Sequence, residues 1–147
     1  MTQRVSVRTK SAGFTMVELI IVIAILGILA ATALPRFFNA SKDARAAAVD
    51  GIAGSLRSSV AVVQAAYFAK GGTGTSVDIG GTAVTVASGT GIPTANAAGI
   101  GAAIQLSDGI TADYGSTPNT FRPSGGNATC QATYAATGEV TVDKDGC

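Results

Sequence analysis

Apolar residues fill almost every position from Phe14 to Leu34, in the stretch FTMVELIIVIAILGILAATAL, and its one charged residue is Glu18. As a helix, these 21 residues would extend roughly 31 Å, the thickness of a bilayer hydrocarbon core. After Pro35 the pattern changes. Val49, Ile52, Leu56, Val60, Val63 and Tyr67 recur at steps of three or four, which predicts one apolar stripe of an amphipathic helix. Lys42, Asp43, Asp50 and Arg57 mostly lie elsewhere on the wheel. Ala44 to Ala48 is strong helix-forming material, and KGGTG, Lys70 to Gly74, supplies the stop signals. Gly51 and Gly54 each cost about 1 kcal/mol relative to Ala in a helix, and they are read as points of close contact with a sheet. The two helical halves together would reach about 80 Å from Thr15 to Tyr67.

Beyond residue 70 the period falls to two. SVDIGGTAVTVA, Ser76 to Ala87, reads as two short strands around a Gly80-Gly81 turn. Thr94 to Leu106, just after Pro93, reads as a short helix carrying Ile100 and Ile104. Ser107 to Ala128 reads as loop, pinned to the head by Tyr114 and Phe121. Cys130–Ala135 and Glu139–Asp143 read as strands around a turn near Thr137-Gly138, with Val140 and Val142 on one face. The expected class is therefore α+β, a long helix followed by a small β-rich head. The expected division is residues 1–13, a hydrophobic segment 14–35, an amphipathic helical half 36–70 and a head 71–147.

Composition sharpens this picture. The chain has 147 residues, enough for one small domain with extensions. Aromatics make up 5% and Trp is absent, so the head has few large side chains for its core. Such small cores often need a covalent staple. Cys130 and Cys147 are the only cysteines, and they suggest one disulfide in an oxidising compartment, with two free thiols as the alternative. No histidine is present, which excludes His-based acid–base catalysis and His metal ligation. Residues 1–13 hold Arg4, Arg8 and Lys10 and no acid, which fits a cytoplasmic N-terminus. No basic patch with interleaved aromatics points to nucleic acid.

Glu18 decides among three readings of the apolar run. A secretory signal peptide, cut after Ala33 in AATA, would leave the acid unexplained within its apolar region. A plain membrane anchor would leave it equally unexplained, although its place near one end lowers the cost. A cut between Gly13 and Phe14 supplies a partner. It removes the three basic residues and creates an ammonium on Phe14, four residues before Glu18. Within an apolar assembly such a pair is far better than either ion alone, and it would set the register of packed helices.

KSAG-FTMVELIIVIAILGILAATALP resembles the N-terminal signature of type IV pilins and the related pseudopilins: a short basic leader ending in Gly, then Phe-Thr, Glu18 and an apolar run ending near a Pro. Met16 stands where Leu is commoner in that family. LPRFFNASKDAR, with the late hairpin and terminal cysteine, looks more like the mannose-sensitive haemagglutinin class of pilins. The resemblance implies the type IV pilin fold, with a long kinked N-terminal helix packed on an antiparallel head and a C-terminal disulfide loop, Cys130–Cys147. It implies a leader removed after Gly13 by a prepilin peptidase, N-methylation of Phe14, and pairing of Glu18 with the Phe14 amine of a neighbouring subunit. It implies an inner-membrane precursor, an assembly platform there and an extracellular homopolymer for adhesion or motility. No cofactor and no metal are expected, although some pseudopilins bind calcium in their heads. Pro35 lacks an N–H and opposes the carbonyl of Ala31, so Gly27 to Pro35 is expected to bend, and the resemblance favours melting there on assembly.

Other signals are weak. GGTGTS and GIGAAI lack the Lys and the setting of phosphate cradles. Asp143-Lys-Asp145-Gly146 resembles the start of a calcium loop without its later ligands. Asn127-Ala-Thr129 matches a glycosylation triplet. No nucleophile has a plausible base, which argues against an enzyme. The rivals are a type II secretion pseudopilin and an exported monomeric binding domain starting at Leu34. A calcium-bound loop without a disulfide would favour the first of these.

Overall fold

The computed structural model describes residues 13–147, without the side chains of residues 34–37. The leader cations Arg4, Arg8 and Lys10, and the Pro35 ring, lie outside this description. Helix α1 covers Met16–Ala69, and Gly27 and Pro35 both lie within its bounds. The chain divides into two compact units, one reaching Asn39 and the other covering Ala40–Cys147.

The second unit is the head together with the later part of α1. Its strands are β1 (Ser76–Ile79), β2 (Thr82–Thr85), β3 (Ile110–Asp113), β4 (Asn119–Pro123), β5 (Gln131–Tyr134) and β6 (Val140–Asp143), with a one-turn helix α2 at Ile100–Ala103. β1 and β2 form an antiparallel hairpin, and β3-β4-β5-β6 form a four-stranded antiparallel sheet. The hairpin turn needs positive φ at two successive residues, and Gly80 and Gly81 supply 60° and 88°. Asp78 Oδ1 accepts the Gly81 N–H at 3.1 Å and closes the turn.

The expected stripe on α1 is the side that packs. Val49, Ile52, Ala53 and Leu56 join Ile100, Phe121, Ala132, Tyr134 and the two cysteines in one core cluster, with Val60 half-buried beside it. Val63 and Tyr67 join Val77, Val84 and Val86 in a second. Register explains the second cluster: Val77 faces Val84 across the hairpin, so one face of a two-stranded unit offers β-branched side chains to the helix. Tyr114 and Phe121 meet edge to face with centroids 5.8 Å apart, the aromatic pin expected for this region.

Three expectations are corrected. Ser107 to Ala128 is not simply loop, because it holds β3 and β4, paired from Ile110↔Pro123 to Asp113↔Thr120. The turn-forming residues around these short strands masked them, and β5 supplies β4's other neighbour. The helix expected over Thr94–Leu106 shrinks to Ile100–Ala103. Asn96 Oδ1 takes the Gly99 N–H at 2.7 Å, Thr94 pairs with Thr85, and Ile104 is already extended. Gly51 and Gly54 touch no sheet; both are exposed, with open space where a Cβ would stand. Val140 and Val142 lie two apart on β6 and so share a face, as expected; Val140 packs on the core, and Val142, further along, is 38% exposed.

Tyr134 gives the head a testable alkaline limit. Its ring is fully buried, and its hydroxyl donates to the Pro93 carbonyl at 2.6 Å. Burial pushes the phenol up to about 12. Unfolding returns it to about 10. The stabilisation held by the neutral phenol is therefore complete below pH 10 and is lost as pH rises through about 12. Urea midpoints of the full chain in detergent should fall across that window. Tyr134→Phe should flatten the fall, while lowering the midpoint at neutral pH because the Pro93 carbonyl loses its donor. An equally steep alkaline fall in Tyr134→Phe would contradict this assignment.

Candidate functional site

In the first unit the sequence has given α1 apolar side chains on all sides. Phe14 is 91% exposed and Leu19, Ile23, Leu26 and Leu29 each more than half exposed. An 18-residue window in α1 has mean hydropathy 2.7, with none of it buried. By length and composition this is a helix able to cross a membrane. Its polar groups are satisfied locally. Thr32 Oγ1 donates to the Leu29 carbonyl at 3.0 Å, so the one hydroxyl deep in the run is not left unpaired.

Glu18 sits in the first turn. Thr15 stands just before Met16, and its carbonyl accepts the Leu19 N–H at 3.2 Å, which places it at the N-cap. Glu18 Oε2 accepts from the Thr15 N–H and from Thr15 Oγ1, both at 2.8 Å, and Thr15 Oγ1 accepts the Glu18 N–H at 3.2 Å. This reciprocal arrangement is a capping box, and it satisfies two N–H groups that a helix start otherwise leaves open. The carboxylate also lies at the positive end of the helix dipole. Sequence reasoning singled out Glu18 but missed Thr15. The signal was present: Thr15-Met-Val-Glu18 is the Thr-x-x-Glu pattern at the entry to an apolar run. Gly13 and Phe14 stand next to this turn, both exposed. In the uncut chain the Phe14 nitrogen is a peptide amide, so the structure does not bring an ammonium to Glu18.

At the other end of the chain Cys130 and Cys147 are joined in a disulfide across a separation of 17 residues. A polar clasp ties this loop to α1. Arg45 donates from Nε to the Cys147 carbonyl oxygen at 2.8 Å, and its Nη2 reaches the same atom. Lys144 pairs with Asp50 at 3.0 Å, and Arg57 Nη2 donates to the Val140 carbonyl at 3.1 Å. Asn127 Oδ1 accepts from the Thr129 N–H and hydroxyl, while its Nδ2 donates to the Gly146 carbonyl. The amide of the triplet is thus used within the fold. A Cβ on Gly146 would overlap Thr129 Oγ1, which explains glycine beside the cysteine. Asp143 Oδ1 accepts the Asp145 N–H. Among the described residues no group of three or more Cys, Asp or Glu could hold a metal. An apolar groove of about 300 Å³ lies between α1 and residues 104–110, lined by Gly51, Ile52, Ser55, Ile104, Leu106 and Ile110 among others, none of them ionisable.

Residues 8–34 match the family described as the prokaryotic N-terminal methylation motif. Over 53 residues, 36% of this chain, the sequence is 47% identical to the type IV narrow pilus major component PilA5 of Thermus thermophilus. The aligned part covers 46% of that relative, so the chain spans about half the length of the curated relative it matches. No solved structure matches. Over its matched segment the chain is homologous to a type IV pilin, and it carries that family's methylation motif. The long N-terminal helix, antiparallel strands and C-terminal disulfide make an α+β fold and are consistent with that of type IV pilins.

Proposed function

We propose that this chain is a structural subunit of a type IV pilus, polymerising through its N-terminal helix into a cell-surface filament for adhesion or motility. The observation that carries the reading is the bare apolar helix with an acid in its first turn. A helix apolar on all sides needs lipid or sister helices around it. A carboxylate placed there needs a cation once it leaves water. The methylation motif and the PilA5 homology supply the class of assembly in which both needs are met.

In this reading a prepilin peptidase cuts between Gly13 and Phe14, leaving residues 1–13 as the removed leader. Phe14 is N-methylated, and its amine pairs with Glu18 of a neighbouring copy. Residues 14–35 wait in the bacterial inner membrane, then enter the filament core at an assembly platform. Gly27 and Pro35 act as the hinge, since a helical Pro removes a backbone hydrogen bond and Gly weakens the turn before it. The head, residues 71–147, faces solvent and does no chemistry. The Cys130–Cys147 link favours a surface pilus over a secretion piston. Fibres sheared from intact cells test the reading by electron microscopy with an antibody to the head. Labelled surface fibres are expected, whereas labelling confined to the periplasm would overturn it.

A further inference from the structure

The second unit leaves an apolar groove open and an aromatic ring exposed on the same helix. Gly51, Ile52 and Ser55 line one side of the groove and Ile104, Leu106 and Ile110 the other. Its volume of about 300 Å³ exceeds the roughly 150 Å³ of a cavity that takes a benzene ring. Gly51 is costly in a helix, yet no neighbour requires it: a Cβ there would meet nothing within 4 Å, so the glycine leaves that wall open. Among the unit's aromatic side chains Tyr67, Phe121 and Tyr134 are buried and Tyr114 is half-buried, whereas Phe68 is 57% exposed. Phe68 cannot reach the groove of its own chain. It lies thirteen residues beyond Ser55, about 20 Å along α1, and at 3.6 residues per turn it points about 140° away from it. We infer that Phe68 of one copy seats in this groove of a second copy. The inference rests on the pilus reading and adds to it a contact outside the N-terminal apolar segment.

Each copy offers one ring and one groove at different places, so the contact is heterologous; repeated from copy to copy it gives a closed ring or an open filament, and a pilus is the second. A groove without ionisable side chains takes an apolar ring with no charge to desolvate. An aromatic anchor in a small pocket is the common form of an interface hot spot. One ring buries far less than the roughly 1,600 Å² of a standard stable interface, so it would not join free subunits. It acts once the N-terminal helices hold copies together, when the ring meets the groove at high effective concentration.

The test uses the full chain expressed in a piliated cell. Phe68→Ala removes the ring, and Gly51→Phe fills the groove from its open wall. Each should lower the yield of sheared filaments about tenfold, with parental amounts of cleaved subunit. Gly51→Phe should do so without a lower urea midpoint in detergent, because its site is open helix surface. Ala65→Cys with Gln105→Cys puts one new thiol a turn before Phe68 and another at the groove, both exposed, while the native cysteines are bonded to each other. A short bismaleimide should join copies in these filaments into a ladder that runs beyond dimers, and adding Phe68→Ala should cut the ladder about tenfold. Normal filament yield from Phe68→Ala or from Gly51→Phe, a ladder that is missing or survives Phe68→Ala, or dimers from a chain with one new cysteine would each overturn the inference. If parental cells carry no labelled surface fibres, the pilus reading itself fails; if they do and both variants assemble normally, the groove contact alone fails.

Discussion

Glu18→Ala is expected to leave cleavage at Gly13 intact and to reduce filaments to near background. The carboxylate sits in a segment whose other side chains are uncharged, so nothing nearby can replace it as the partner of an ammonium. Removing one partner of an ion pair buried among apolar helices leaves the other charge uncompensated, which typically costs 3–5 kcal/mol. Repeated at every subunit, a loss of that size prevents growth. The helix itself should survive, because loss of half a capping box costs only about 1 kcal/mol. Membrane fractions should therefore contain the cut, full-size subunit while sheared fractions contain almost none. Sheared fibres in parental amounts would show that Glu18 is only a helix cap.

The second large effect is expected in the head. Replacing both Cys130 and Cys147 by alanine removes a link across 17 residues. The chain-entropy model assigns such a loop about 3 kcal/mol. Alanine is the cleaner choice because Cys130 is fully buried beside apolar residues, where a serine hydroxyl would add its own penalty. The polar clasp cannot compensate. Lys144 and Asp50 are both about half exposed, and an exposed ion pair is worth roughly 0–1 kcal/mol. Arg45 would still face the Cys147 position, but the carbonyl it binds would no longer be held by the bridge to β5's entry. The double variant should unfold at a clearly lower denaturant concentration, and filament yield should fall with subunit survival. Lys144→Ala alone should shift the midpoint little. A double variant with a parental midpoint would show that the clasp and core hold the loop unaided.

How much of this was legible in the sequence depends on how local the determining forces are. The α1 stripe from Val49 to Tyr67 was readable because one apolar face repeats over several turns and the same face packs. The Gly80-Gly81 hairpin was readable because its turn demands two positive φ angles. β3 and β4 were not, since four- and five-residue strands among Gly, Pro, Ser and Asn become strands only when β5 pairs with β4. Gly51 and Gly54 misled because a costly residue in a helix was taken to mark a contact, and their outer side is open. At the site, Glu18 stood out as a charge in the wrong surroundings, whereas Thr15 looked like one more small residue until the geometry showed three hydrogen bonds joining the two.

Assembly as proposed requires that a new amino terminus on Phe14 meet the Glu18 carboxylate of another copy. The most direct measurement is the intact mass and N-terminal fragmentation of subunits taken from purified surface fibres. Subunits that begin at Phe14, with one extra methyl on its nitrogen and the Cys130–Cys147 disulfide closed, are expected. Fibre subunits that keep Met1, or that begin at Leu34, would contradict it.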